Sequence, residues 1–320
     1  MKVYNDEVIP LNALMKNELK RLRELRDFDL TWIDRKITLI NEYFRTYNLS
    51  GAVVGLSGGL DSSVVLALLK KASEQNGSPI KRIVPMLLPA IDSVGATKQD
   101  DSIARGVELC DSLELEPALF EELSHLSNIV SPELERILGL KNDNWSIGQL
   151  VPYLRTPILY NTCSILATNG TPSIVVGTTN FSEGGYLGYV GKASDGMTDL
   201  QIISDLFKSE VYQVARELKL PESIINVTPT GDMYDSRVDE EVFGATYDFL
   251  ELFMLGKQYG LFENIYLNEQ YIAGSSNLEK LHSYNSHKYL YSYPSVFLDI
   301  LPTNIPNGWN NPTWTEMKGE

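Results

Sequence analysis

Apolar and charged positions along residues 1–30 follow a helical rhythm. Leu11, Met15, Leu19, Leu22 and Leu25 fall near one face of an otherwise charged leader. Ile33, Ile37, Ile40 and Phe44 then recur at steps of four, three and four, predicting a second helix that Gly51 ends. The pattern changes at Gly51-Ala-Val-Val-Gly-Leu56, a short unbroken apolar run that reads as a buried strand. A polar loop, Ser57-Gly-Gly-Leu-Asp-Ser-Ser63, leads into a helical stretch from Val64 to Ala72. Ile83 to Leu88 reads as a strand, and Thr97 to Leu113 as a helix with Ile103, Val107 and Cys110 inward. Gln149 to Thr168 has a helical pattern, its start staggered by Pro152 and Pro157. Ile174-Val-Val-Gly177 is a third buried strand, followed by a glycine-rich polar loop from Thr178 to Asp199. Val211, Val214, Ala215 and Leu218 mark one more amphipathic helix, stopped by Pro221.

Strands alternating with helices imply an α/β fold, a doubly wound parallel sheet flanked by helices. In such sheets ligands bind at the carboxyl ends of the strands. Both polar loops, 57–63 and 178–199, follow strands and should open onto that edge. The chain divides on this reading into a helical leader (1–30), one large domain (31–275), and a closing segment with a Pro/Asn/Trp-rich tail (276–320). A short helix is expected within that last segment.

Composition removes several classes of partner. The chain has 320 residues, 43% of them apolar, with 27 Lys/Arg against 42 Asp/Glu for a net charge of −15. All of the excess acid lies beyond residue 50. That balance leaves no basic patch for a nucleic-acid backbone or an anionic membrane, although a locally basic phosphate site remains compatible with it. No apolar run approaches the roughly 18 residues of a membrane span, and Met1 to Pro10 lacks a signal-peptide core. A cytoplasmic protein is expected. Cys110 and Cys163 are too few and too isolated for a disulfide framework or a zinc knuckle, and read as buried hydrophobes. His125 and His282 read as structural or surface histidines, because metal sites need clustered ligands.

The 57–63 loop carries the most chemistry, and it can be read in several ways. Gly55-Leu-Ser57-Gly-Gly59 fits the G-x-S-x-G nucleophile elbow, which would make Ser57 a hydrolase nucleophile served by one of three histidines. The phosphate loop ending in Gly-Lys-[Ser/Thr] is not matched, and the dinucleotide fingerprint G-x-G-x-x-G is missing. A plain strand-to-helix turn is the bland alternative, but Ser57, Asp61, Ser62 and Ser63 crowd polar groups where the sheet edge opens. An anion nest accounts for more of the loop. Gly58 and Gly59 let successive N–H groups turn toward one point, and the following helix aims its positive end there. Pyrophosphate suits such a nest, and Asp61 is tolerable beside it if a divalent cation lies between.

Ser57-Gly-Gly-Leu-Asp-Ser-Ser63 resembles the SGGxDS loop of the ATP pyrophosphatases, enzymes that cleave ATP between its α and β phosphates. Gly177-Thr-Thr-Asn180, Glu183, Lys192, Asp195-Gly196, Asp199 and Ile203-Ser-Asp-Leu-Phe-Lys208 are similar to the segment that characterises NAD synthetases. Lys192, Asp195, Asp199 and Lys208 keep that family's spacings of three, four and nine. Pro229-Thr230, Asp239-Glu240, Gly244, Tyr247 and His287-Lys288 continue the likeness, which covers roughly residues 30 to 290. Pro157 stands where the family often has a second arginine after Arg155.

The resemblance implies a set of roles. Asp61 and Lys208 would be catalytic. Ser57, Gly58, Gly59, Asp61, Ser62, Ser63, Thr178, Lys208 and Thr230 would bind ATP, and Asp61 and Glu183 would hold Mg²⁺. Arg155, Lys192, Asp195, Asp199, His287 and Lys288 would bind deamido-NAD. The implied reaction is ATP-dependent amidation through an adenylated carboxyl group, with positioning and neutralisation of phosphate charge as the main catalytic devices. About fifty residues precede the first strand, too few for a glutamine-hydrolysing domain, so ammonia is the expected nitrogen donor. A homodimer is also implied, and the leader's apolar stripe offers one surface for it. Two other readings remain: another amidating or thiolating ATP pyrophosphatase, and a nucleotide-binding protein without turnover.

Overall fold

A computed structural model describes residues 7–90, 99–120, 123–231, 237–285, 295–303 and 305. Six strands lie in one parallel sheet, in the spatial order β3-β2-β1-β4-β5-β6. They are β1 (Gly51–Gly55), β2 (Arg82–Leu87), β3 (Ala118–Leu119), β4 (Ser173–Gly177), β5 (Leu200–Gln201) and β6 (Val296–Phe297). The winding reverses between β1 and β4, which pair with Gly51 opposite Ser173 and Val54 opposite Val176. A crevice forms at the carboxyl ends of strands where winding reverses.

Alternation along β1 decides which helix layer covers which face. Ala52 and Val54 pack with α2 (Trp32–Thr46), α3 (Leu60–Glu74) and α7 (Lys208–Glu217). Val53 and Val175 point the other way, onto Val151, Cys163 and Leu166 of α6 (Asn144–Thr168). The expected doubly wound α/β sheet is therefore the one that forms. The expected apolar face of α2 is buried at all four positions, Ile33, Ile37, Ile40 and Phe44.

The leader forms α1 (Ala13–Arg26), capped by the Asn12 side chain accepting from the Met15 N–H. Leu11, Met15, Leu19 and Leu22 are buried against α10 (Tyr247–Tyr259) and the Phe181–Leu187 turn. At about 1.5–3 kcal/mol per fully buried side chain, these four dock α1 onto its own chain. Leu25, expected on the same stripe, is instead half exposed. Most of the stripe is thus covered by the chain's own helices.

Further expectations need correction. Gly51 opens β1 and does not end α2, which stops at Thr46. The helix expected from Gln149 begins at Asn144 under an Asp143–Ser146 capping box, and both prolines lie inside it. A whole helix, α5 (Ser124–Leu138), escaped the sequence pattern, with Pro132 interrupting its periodicity. The helix expected in the closing segment is the end of a longer one: α12 (Glu269–Asn285) starts before that segment and runs for 17 residues, and among the described residues β6 follows it into the sheet.

Candidate functional site

The 57–63 loop leaves β1 and turns into α3 at the winding reversal. Gly58 has φ +72°, and a Cβ there would lie 2.2 Å from the Ser102 carbonyl oxygen, so only glycine fits. Arg105, on α4 (Gln99–Ser112), donates from Nε to the Gly58 carbonyl at 2.8 Å and holds the loop from behind. Ser57 Oγ lies 3.1 Å from Ser62 Oγ and accepts from the Gly59 N–H at 3.2 Å. Ser62 and Ser63 are buried, with both hydroxyls donating to the Gly59 carbonyl. The loop is a wound cradle at a helix N-terminus, the geometry an anion nest requires.

No histidine triad forms on Ser57 among the described residues. His125 is exposed, and His282 stacks on the Tyr186 ring with Nδ1 2.6 Å from the Tyr186 carbonyl oxygen. Both serve the surface or the packing, as expected. Burial pushes the Cys110 thiol up to about 11 and the Cys163 thiol up to about 12, so both stay protonated and inert.

Three charged side chains from three separate elements meet beside the cradle. Asp61 lies in the first turn of α3. Glu183 lies in the 178–199 loop, where a single π-helical turn, Phe181–Leu187, replaces the irregular chain expected there. Lys208 is the first residue of α7. Its Nζ donates to Asp61 Oδ2 at 2.6 Å and to Glu183 Oε1 at 2.9 Å. The lysine side chain is 5% exposed, the two carboxylates 19% and 17%. One ammonium thus holds two acids at the rim of the crevice.

Side chains that the sequence reading gave no role complete this arrangement. Asn180 caps the π-helical turn by accepting from the Glu183 N–H at 3.0 Å, and its Nδ2 donates to Asp61 Oδ1 at 2.8 Å. Asn180-Phe-Ser-Glu183 carries the capping spacing, the one local signal that could have revealed it. The Lys208 N–H donates to Ser182 Oγ at 2.9 Å. The Tyr247 hydroxyl lies 2.8 Å from both Glu183 Oε1 and Asp239 Oδ2. The one phenol proton can serve only one of the two carboxyl groups at a time. Burial and then the nearby Glu183 push the Asp239 carboxyl up to about 7.

The charges on the other acids follow from the same crowding. Burial and Glu183 raise the Asp61 carboxyl against the pull of Lys208. Burial also opposes ionisation of Glu183, but Lys208, Asn180 and Tyr247 together hold it below the usual range. Lys208 is disfavoured by burial, yet Asp61, Glu183 and Asp239 keep it firmly protonated.

The residues expected to bind deamido-NAD lie along α6 and the end of the polar loop. Arg155 donates from Nε to the Leu88 carbonyl at 3.2 Å, and its neighbour Thr156 donates to the Ala193 carbonyl, bringing Lys192 alongside α6. Asp199 accepts from the Val175 N–H at 2.8 Å and from the Tyr160 hydroxyl at 3.3 Å, so its carboxylate already serves the fold. Asp195 is exposed and accepts from the Gly191 N–H at 3.1 Å within its own loop. Thr178 is half-buried immediately after β4, and Thr230 is exposed in a bridge with Val238. His287 and Lys288 lie outside the described residues.

An oxygen-only pair of carboxylates beside an anion cradle fits Mg²⁺, which takes one or two protein carboxylates and completes its shell with phosphate oxygens and water. Among the described residues no three ligating side chains cluster to hold a metal by themselves. The fit is to an ion that arrives with its nucleotide.

A single doubly wound sheet with a phosphate cradle and a charged knot at its winding reversal defines a nucleotide-using α/β protein. The model of the family described as NAD synthase matches residues 32–290, and the chain belongs to that family. An NH3-dependent NAD+ synthetase of Thermoplasma acidophilum is 33% identical over 67% of this chain and 80% of its own. One from Mesoplasma florum is 28% identical over 80% and 93%. In fold the chain is similar to an NMN synthetase of Francisella tularensis (TM-score 0.66, 23% identity, 82% of this chain and 96% of that one). It is also similar to an NH3-dependent NAD synthetase of Campylobacter jejuni (TM-score 0.61, 23% identity, the same coverage).

Proposed function

We propose that the chain is an ammonia-dependent NAD synthetase that joins ammonia to the nicotinate carboxyl group of deamido-NAD at the expense of ATP. The observation that carries this reading is the convergence of Asp61, Glu183 and Lys208 beside the Ser57–Ser63 cradle, in a chain of the NAD synthase family. A free carboxylate resists attack by ammonia because its negative charge shields the carbonyl carbon. Its oxygen therefore bonds first to the α-phosphorus of ATP, and the bond from that phosphorus to pyrophosphate breaks. Ammonia then adds to the carbonyl, loses its extra proton, and AMP departs.

The chain's own groups bind and neutralise. The N–H groups and hydroxyls of residues 57–63 receive the leaving pyrophosphate, and Lys208 balances the charge around it. Asp61 and Glu183 are the groups that would hold Mg²⁺, which when bound supplies positive charge for the departing phosphates. Thr178 and Thr230 would complete the ATP side. Arg155, Lys192, Asp195 and Asp199, with His287 and Lys288, would form the deamido-NAD side.

Two finer expectations belong here. A cytoplasmic location agrees with the lack of any helix among the described residues long and apolar enough to cross a membrane. A homodimer is supported by the outer surface of α5 and α6, where Ile129, Ile137, Leu138, Leu140 and Ile165 are all more than half exposed. Light scattering at micromolar concentration should give twice 35.9 kDa, and a fully active monomer would refute the dimer.

The decisive assay supplies ATP, Mg²⁺ and ammonium with deamido-NAD, or with nicotinate mononucleotide in its place, and follows pyrophosphate and the amide product. Deamido-NAD should be the better acceptor, and ammonium should support turnover where purified glutamine does not. No pyrophosphate with deamido-NAD, or equal turnover with ammonia-free glutamine, would overturn the reading.

A further inference from the structure

Lys208 and Glu183 touch each other at the rim of the crevice, and both are set from behind by one side chain of the leader. Arg26, the last residue of α1, is buried, with its side chain 1% exposed. Its Nε donates to Glu210 Oε1 at 2.7 Å and its Nη2 to Glu210 Oε2 at 3.1 Å. Glu210 Oε2 also accepts from the Phe207 N–H at 2.8 Å, closing the first turn of α7 immediately before Lys208. Arg26 further donates to the carbonyl of Asp205, two residues earlier, and to that of Pro302 at 3.0 Å.

The flat face of the same guanidinium makes the second connection. It lies 4.5 Å from the Phe207 ring centroid and 5.7 Å from that of Phe181. Phe207 precedes Lys208 in the chain. Phe181 opens the π-helical turn that carries Glu183, and its N–H donates to the Leu206 carbonyl at 2.8 Å. One rigid fork therefore fixes the backbone on both sides of the Lys208–Glu183 contact. Beside it, Arg23 pairs with Glu251 at 2.7 Å, and Glu251 accepts from Ser209 Oγ at 2.7 Å, so the leader reaches the first turn of α7 twice. Both arginines lie before residue 32, where the match to the NAD synthase family begins.

We propose that Arg26 is a positioning residue: it sets Lys208 and Glu183 for the phosphates of ATP without touching the nucleotide itself. The proposal deepens the synthetase reading and rests on it for the identity of the nucleotide. A fork is needed for this task. Lysine would keep the charge but cannot bond both oxygens of Glu210 in a plane while contacting the Phe207 and Phe181 rings.

The test uses the full chain with Arg26→Lys, and with Arg21→Lys as the control. Arg21 pairs with Glu18 within α1 and donates to the Gly260 carbonyl, away from α7. Hydrogen exchange in ligand-free protein reads the backbone at residues 206–210, and steady-state kinetics read KM for ATP and for deamido-NAD separately. In Arg26→Lys, exchange at Phe207 and Lys208 should quicken about tenfold while core amides of α3 hold their rates. KM for ATP should rise about fivefold or more, with KM for deamido-NAD within about twofold. Arg21→Lys should move none of these.

A folded Arg26→Lys protein with unchanged local exchange and unchanged KM for ATP overturns the proposal. So does a drop in kcat alone with exchange faster everywhere, which is the mark of a smaller folded fraction. If Arg26→Lys does not fold, Glu210→Gln takes its place under the same readouts, and failure of both to fold makes the brace a folding determinant and overturns the positioning role. A wild-type chain that makes no NAD from deamido-NAD fails the synthetase reading instead, while the exchange measurement still reports on Arg26.

Discussion

Lys36 and Lys208 each sit buried on carboxylate, Lys36 on Asp205 and Lys208 a few residues beyond that aspartate, and the two knots are built differently. Lys36 pairs with Asp205 at 3.1 Å, with both side chains fully buried. Asp205 also accepts from Trp32 Nε1 at 3.0 Å and from the N–H groups of Ile300 and Leu301, while Lys36 donates to the Leu298 carbonyl. Lys36 bonds one carboxylate, and the Trp32 indole and the backbone take up the remaining bonding capacity. The neighbouring Asp299 is held by Ser204 and Thr303 and is pushed up to about 6 by burial and by Asp205. At Lys208 a single ammonium serves Asp61 and Glu183, and a third acid, Asp239, joins through Tyr247. Both carboxylates that touch the lysine keep a solvent-facing fraction near one fifth. Distance alone does not separate a scaffold pair from a working one. An opening on one side, through which the charged cluster meets solvent, does. Such a knot is assembled before its ligand arrives and has a reason to attract one.

The largest effect that would test this contrast is on stability. Lys36→Met leaves Asp205 buried without its cation and should cost about 3–5 kcal/mol of folding free energy, read as a shift in the urea midpoint. A shift under about 1 kcal/mol would mean that the backbone donors alone carry Asp205. Glu183→Gln should spare stability and instead slow pyrophosphate release by about 3 kcal/mol in the transition state, roughly a hundredfold. Binding of deamido-NAD, measured separately, should hardly move. Normal turnover with normal Mg²⁺ dependence would remove Glu183 from the site.

Ser57→Ala is expected to weaken synthesis by about 1.5–3 kcal/mol, or ten- to a hundredfold, because its hydroxyl is one donor of several. A fluorophosphonate should leave Ser57 unlabelled, and covalent labelling there would restore the nucleophile-elbow reading. The smallest change belongs to Asp195→Asn, an exposed acid outside both knots. Stability should stay within about 0.5 kcal/mol, and any effect should fall on KM for deamido-NAD alone. A loss of ATP affinity in this variant would show that the two halves of the site are not separate.

Much of the fold and the phosphate side was legible because the information is local. Apolar runs of four to six residues marked β1, β2 and β4, and one loop motif with its downstream spacings pointed to Asp61, Glu183 and Lys208. The two-residue strands β3, β5 and β6 are too short to carry any period. Pro132 concealed α5 by breaking its propensity at mid-helix. Asn180 had a local capping signal, but the partner it reaches, Asp61, is 119 residues away. Lys36–Asp205 and Arg26–Glu210 join residues 169 and 184 apart, and no spacing rule reaches that far. The leader was read as an apolar stripe in need of cover. Its arginines, which look like ordinary surface charge in sequence, turned out to reach the site.

The bond from Arg26 to the Pro302 carbonyl spans 276 residues, and it bears on the order of events during synthesis. At roughly 5–20 residues per second, a ribosome needs on the order of fifteen seconds to a minute to travel from one partner to the other. Late in that interval the 57–63 cradle, the π-helical turn and α7 have been made, while the segment after β6 that supplies the Pro302 carbonyl has not. The nascent chain thus carries Lys208 and its two carboxylate partners before it carries the last tie on the guanidinium behind them.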